Sequence, residues 1–145
     1  LRLDHFGGFV QRARLAHGGV RETRNGSDCY IGATIFNDVA PDARIAREEI
    51  FGPVLSAITV KGFDEAMEVA NDTIYGLAGA VWTGSMKNAH RAAKALRAGV
   101  VWVNCFDKGS MAVPFGGFKQ SGFGRDKSLH AMDKYTDLKA VWFQH

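Results

Sequence analysis

Residues 77–103, LAGAVWTGSMKNAHRAAKALRAGVVWV, are the stretch that decides the fold. Leu77 to Trp82 is a short, largely apolar run of strand type. Ser85 follows as an N-cap, and Ala89, Ala92, Ala93 and Leu96 recur at helical spacing in a segment that runs to about Ala98. Gly99 is placed for a helix C-cap. Val100 to Val103 is apolar throughout, as in a strand buried on both faces. Strand, helix, strand in so short a span predicts a βαβ unit with parallel strands.

The alternation extends upstream. Val54 to Val60 reads as a strand. Asp64 to Asn71 reads as a short helix with Ala66, Met67 and Ala70 on one face. Together these predict an α/β chain with right-handed βαβ units and a parallel sheet. Nearer the start, Asn25-Gly26-Ser27-Asp28 is a turn cluster, and Cys29 to Phe36 has the β-branched and aromatic content of one strand. Pro41-Asp42-Ala43 opens a loop or short helix. Leu3 to His17 has the spacing of an amphipathic helix, ended by Gly18-Gly19. Downstream, a Gly-rich loop covers Cys105 to Arg125, a short helix covers about Asp126 to Lys134, and Thr136 to Phe143 alternates like a strand. No repeat, low-complexity tract or linker interrupts the chain, which reads as one unit.

Composition narrows the partners. With 145 residues, 46% apolar and 23% charged, the chain can bury a core and does not read as disordered. The formal charge of +3 is scattered in both signs, and no Lys/Arg run marks a nucleic-acid surface. No stretch approaches a membrane span. Leu1 to Phe6 carries Arg2, Asp4 and His5, unlike a signal peptide, and the absence of an initiator Met fits a fragment or a processed product. Cys29 and Cys105 stand far apart, outside any CxxC or Cys/His cluster, so neither a zinc site nor a disulfide framework is expected, and a reduced, cytoplasmic setting is. His5, His17, His90, His130 and His145 show no ligand spacing, and no metal is expected.

Three segments could carry chemistry, and each also has a structural reading. Glu48-Glu49-Ile50-Phe51-Gly52-Pro53 reads as a solvated helix end and turn, or as a carboxylate facing a cleft and accepting the hydroxyls of a vicinal diol. Val103-Asn104-Cys105-Phe106-Asp107 follows a strand, where ligand sites of α/β sheets gather. Cys105 reads more readily as a small buried thiol, with no histidine near it in sequence. Pro114 to Asp126 combines Gly116, Gly117, Gly122 and Gly124 with Phe115, Phe118 and Phe123. Its Gly122-Phe123-Gly124 lacks the third glycine and the preceding strand of a phosphate loop.

Taken in order, these segments resemble the C-terminal part of the aldehyde dehydrogenase superfamily. Glu48 to Val54 is similar to the family's E-E-x-F-G-P-V, and Asn71 to Leu77 to its N-x-x-x-Y-G-L. Gly99 to Asn104 is similar to G-x-x-W-x-N, and Pro114 to Gly122 to P-F-G-G-x-K-x-S-G. The resemblance implies a three-layer αβα catalytic-domain fragment over residues 1–135, with 136–145 as an oligomerisation strand. It implies NAD or NADP as cofactor, a small aldehyde as substrate and a homo-oligomer. Glu49 would hold the ribose hydroxyls beside the nicotinamide, Phe51 would pack beside that ribose, and Leu77 would touch the nicotinamide. Phe115 would line the aldehyde tunnel, and Asp107 and Gly109 would shape its mouth.

The segment from Gly124 to Lys139 resembles the group acting on gamma-glutamyl-gamma-aminobutyraldehyde and related amino-aldehydes. Ser110 stands where that group carries an acid. The family's G-Q-x-C nucleophile motif and its E-L-G-G base motif are absent from these 145 residues, as is the dinucleotide-binding domain. No catalytic residue is therefore assigned. The chain is expected to be inactive alone, either as a piece of an oxidoreductase or as a non-catalytic module that acts only in association.

Overall fold

Gly18 and Gly19 decide how the first strands turn. Their φ angles of 71° and 76° lie in the left-handed region open to glycine, and a Cβ on Gly18 would meet the Ala33 carbonyl oxygen at 1.9 Å. In the computed structural model, which describes residues 12–145, they connect β1 (Arg14–His17) to β2 (Arg21–Arg24). The helix expected over Leu3 to His17 is corrected at its described end. Arg14 to His17 is a strand, because a ladder to a distant strand outweighs local apolar spacing. Residues 3–11 lie outside the described residues.

β2 and β3 (Ser27–Ile31) form a hairpin. Its two turn residues, Asn25 and Gly26, have φ of 52° and 77°, the left-handed pair whose twist matches the flanking strands. The single strand expected from Cys29 to Phe36 is broken at Gly32-Ala33, and its second part, β4 (Thr34–Asn37), belongs to another sheet.

β4 is central to a sheet of order β1-β4-β5, antiparallel to β1 and parallel to β5 (Val54–Ser56). The crossover from β4 to β5 carries α1 (Arg44–Arg47), so this is a βαβ unit, and the sheet is mixed rather than purely parallel. β5 ends at Ser56, short of the expected Val60. Phe36, Val39, Ala43 and Ile45 form the buried core here, with Ile50, Val54 and Ile58 packed on it. Among the described residues Thr34 is the buried polar one, and its hydroxyl accepts from the Gly19 amide at 2.9 Å and donates to the Gly32 carbonyl at 2.8 Å.

The chain divides into two compact units between Gly62 and Phe63, a point that composition does not mark. The second unit runs α2 (Phe63–Asn71), β6 (Ala78–Val81), α3 (Met86–Ala95), β7 (Val100–Val103). β6 and β7 pair in parallel, from Ala78 opposite Val100 to Val81 opposite Val103, as the opening stretch predicts. Ser85 caps α3, its hydroxyl accepting from the Asn88 amide at 3.3 Å. α3 stops earlier than expected, with Leu96 and not Gly99 as its C-cap. Gly99 instead permits a close approach: a Cβ there would lie 1.6 Å from the Gly116 carbonyl oxygen. β7 is half-buried along its length rather than fully buried.

Beyond β7 the Gly-rich loop contains one 3-10 turn, Lys119–Ser121, and the helix expected from Asp126 is a 3-10 segment, Leu129–Lys134. Lys127 and Ser128, at φ 57° and 52°, are outside the helical region and delay its start. Thr136 to Phe143 makes no ladder in the single chain, and Leu138 and Trp142 are 100% and 93% exposed. Among the described residues no helix is long and apolar enough to cross a membrane.

Candidate functional site

In the first unit, the two adjacent carboxylates differ in what they do. Glu48 is the C-cap of α1. Its amide donates to the Arg44 carbonyl at 2.9 Å, and its carboxylate accepts from Arg44 Nε at 2.6 Å. Glu49 is exposed and forms no ion pair among the described residues. Phe51 is 91% exposed and has φ 55°, an uncommon conformation for a bulky residue that costs on the order of 1–3 kcal/mol. The turn that carries them is anchored, since the Pro53 carbonyl accepts from the Thr34 amide at 2.9 Å and the Gly52 carbonyl from the Val54 amide at 2.7 Å. An exposed carboxylate and an exposed ring two residues apart on an anchored turn suit a ribose, whose diol offers two donors and whose carbon face is apolar.

In the second unit, the end of β7 is organised by Asn104. Its Oδ1 accepts from the Thr83 amide at 2.8 Å and its Nδ2 donates to the Thr83 carbonyl at 3.0 Å, tying the end of β7 to the segment after β6. Asn104 is thus a structural clamp. Cys105 is a half-buried free thiol. Cys29 is an exposed one, in contact with Ser27 Oγ at 2.8 Å. Phe106 packs on Trp102 with ring centroids 5.1 Å apart, and Trp102 Nε1 donates to the Lys108 carbonyl at 2.7 Å, which curls the loop that follows.

That curl brings together three of the residues singled out in the sequence. Asp107, Gly109 and Phe115 line one cavity of about 230 Å³, with Trp102, Ser110 and Lys127. Leu77, 43% exposed, lines a second cavity of about 240 Å³ that it shares with Phe115, Gly122, Phe123, Asp126 and Lys134. Phe115 therefore borders both. Its backbone is fixed by paired bonds with Asp126 at 2.8 and 2.6 Å. Asp126 is also ion-paired with Lys134, which raises the Lys134 pKa above its ordinary value.

Sequence reasoning missed Lys127, which lines the cavity and holds Nζ 5.5 Å from the Phe115 ring centroid. No periodicity marks a single lysine in a loop. It also assigned no structural role to two of the motifs, which turn out to be bonded to each other. Ser121 Oγ accepts from the Gly76 amide at 3.0 Å. Lys119 Nζ donates to the carbonyls of Asn71 and Thr73 at 2.8 and 3.0 Å. The Asn71 side chain in turn accepts from the Arg97 amide and donates to the Ala95 carbonyl, both at 2.8 Å. Among the described residues no group of three or more His, Cys, Asp or Glu could hold a metal.

These motifs, in this fold, define a family. Residues 8–141 match the profile of the aldehyde dehydrogenase family, and the chain belongs to it. It is 55% identical over 112 residues, 77% of its length, to the NADP/NAD-dependent aldehyde dehydrogenase PuuC of Escherichia coli, of which it covers 23%. The aldehyde dehydrogenase KauB of Pseudomonas aeruginosa superposes with a TM-score of 0.88 at 56% identity, over 97% of this chain and 29% of that one. The gamma-glutamyl-gamma-aminobutyraldehyde dehydrogenase of Burkholderia cenocepacia superposes with a TM-score of 0.86 at 55% identity, over 94% of this chain and 28% of that one. The chain thus spans about a quarter of the length of these relatives.

Proposed function

We propose that this chain supplies the nicotinamide-ribose contacts and the aldehyde approach of an NAD(P)-dependent aldehyde dehydrogenase. The observation that carries the reading is the contrast at 48–51: Glu48 is engaged by Arg44, while Glu49 and Phe51 are exposed on an anchored turn. Glu49 accepts the ribose hydroxyls, Phe51 packs beside the ribose, and Leu77 touches the nicotinamide. Asp107 and Gly109 form the mouth of the aldehyde tunnel and Phe115 its wall, a reading supported by their common cavity. When bound, NAD(P)+ accepts the hydride released on oxidation of the aldehyde to the acid. In this reading the turn at 48–51 holds the ribose and the loop after β7 guides the aldehyde, and holding reactants in place is what such residues contribute to catalysis. The names of the PuuC and B. cenocepacia relatives support NAD or NADP as cofactor and an amino-aldehyde among the substrates.

The tail from Thr136 is the oligomerisation strand. Its support is the exposure of Leu138, Val141, Trp142 and Phe143 in the single chain, which an edge strand of a second copy would cover. Two cysteines without a disulfide suit a cytoplasmic setting.

An exchange tests the reading. KauB with its matching stretch replaced by residues 1–145 should oxidise an aldehyde with NAD(P)+, while the 145-residue chain alone should form no NADH. A chimera that folds and binds cofactor but oxidises no aldehyde, or NADH formation by the chain alone, would contradict it.

A further inference from the structure

We propose that Lys127 is a specificity-determining residue that selects aldehydes whose far end carries a carboxylate. The proposal rests on the reading of the Asp107, Gly109 and Phe115 cavity as the aldehyde approach. Lys127 is half-buried, and its ammonium stands over the Phe115 ring and beside Gly109, where a Cβ would meet Nζ at 3.7 Å. An aromatic face attracts a cation but leaves its charge in place. The adjacent acid, Asp126, is ion-paired with Lys134, and among the described residues Lys127 has no carboxylate partner.

The lysine is also held in position from both sides. The paired backbone bonds between Asp126 and Phe115 precede it, and the Ser128 amide donates to the Met111 carbonyl at 2.8 Å just after it. Two consecutive non-glycine residues at positive φ, Lys127 and Ser128, are backbone strain of the kind that persists where surrounding bonds impose it. A half-buried lysine on a fixed backbone, lining a cavity of about 230 Å³, calls for an anionic end group, and a carboxylate gives a charge-assisted hydrogen bond there. Asp107 borders the same cavity, so an ammonium next to that carboxylate would be met as well.

The test compares 5-oxopentanoate with pentanal in the KauB chimera. Lys127→Met should lower kcat/KM for 5-oxopentanoate roughly tenfold, mainly through KM, and that for pentanal far less, because one charge-assisted hydrogen bond is lost. Lys127→Arg should retain most of the preference. Equal losses on both aldehydes, or no loss on either, would overturn the proposal. If the chimera fails to oxidise pentanal, it is the dehydrogenase reading that fails, and binding then decides the role of Lys127. Glutarate titrated against the 145-residue chain should give saturable amide shifts around Lys127 and Phe115 that Lys127→Met abolishes. No such shifts, or shifts that survive the substitution, would count against it.

Discussion

Gly99 and Gly79 are both glycines in or beside the parallel pair β6-β7, yet the structure asks different things of them. A Cβ on Gly99 would lie 1.6 Å from a backbone oxygen, which cannot move cheaply, whereas a Cβ on Gly79 would touch the end of the Leu96 side chain at an ordinary 3.5 Å. Gly99→Ala should therefore cost about 1–3 kcal/mol or more, as overpacking against backbone does, and Gly79→Ala much less. Urea unfolding of the two variants checks the contrast, and equal losses would refute the close approach. At this scale the sequence is only partly legible. Gly99 can be recognised as a required glycine, but its spacing suggests a helix cap, and the true reason is a contact with Gly116. Glu49 and Phe51 are singled out by the motif they sit in, and the structure leaves both exposed. Lys127 is not, because nothing in a loop's spacing reports which side chain turns into a cavity.

The elements that read correctly are those whose determinants are local. α3 follows its alanine spacing, and its start is written in Ser85. Ser85→Ala should lower stability by about 1 kcal/mol, measured by thermal unfolding, since one helix amide loses its partner. The Asn25-Gly26 turn likewise states its hairpin in two residues. β1 does not read correctly, because pairing with the distant β4 decides it, nor does the break at Gly32-Ala33, since β3 pairs with β2 while β4 joins β1 and β5. The 3-10 segment Leu129–Lys134 starts late because Lys127 and Ser128 are at positive φ, and its far end is tied back by the pair Lys134–Asp126. That pair raises the Lys134 pKa, so its stabilisation is present below about pH 10.5 and is lost as pH rises through the higher folded value. Lys134→Met should remove that alkaline dependence, as unfolding midpoints measured on either side of pH 10.5 would show.

For the whole molecule, association and chemistry are the two matters to settle. The exposed tail predicts that the chain is not a monomer at micromolar concentration and that deleting residues 136–145 shifts it towards monomer or causes aggregation. Sedimentation decides, and a monodisperse monomer with and without the tail would contradict the strand role. The central claim, that Glu49 and not its neighbour holds the ribose, is tested most directly by single-turnover hydride transfer in the KauB chimera. Glu49→Gln should slow the transfer by about 1–3 kcal/mol in barrier, while overall NAD binding, spread over the rest of the dinucleotide, weakens less. Glu48→Gln, which touches only the Arg44 pair on the surface, should leave the transfer near that of the parent. Unchanged transfer in Glu49→Gln, or an equal loss in Glu48→Gln, would contradict the account.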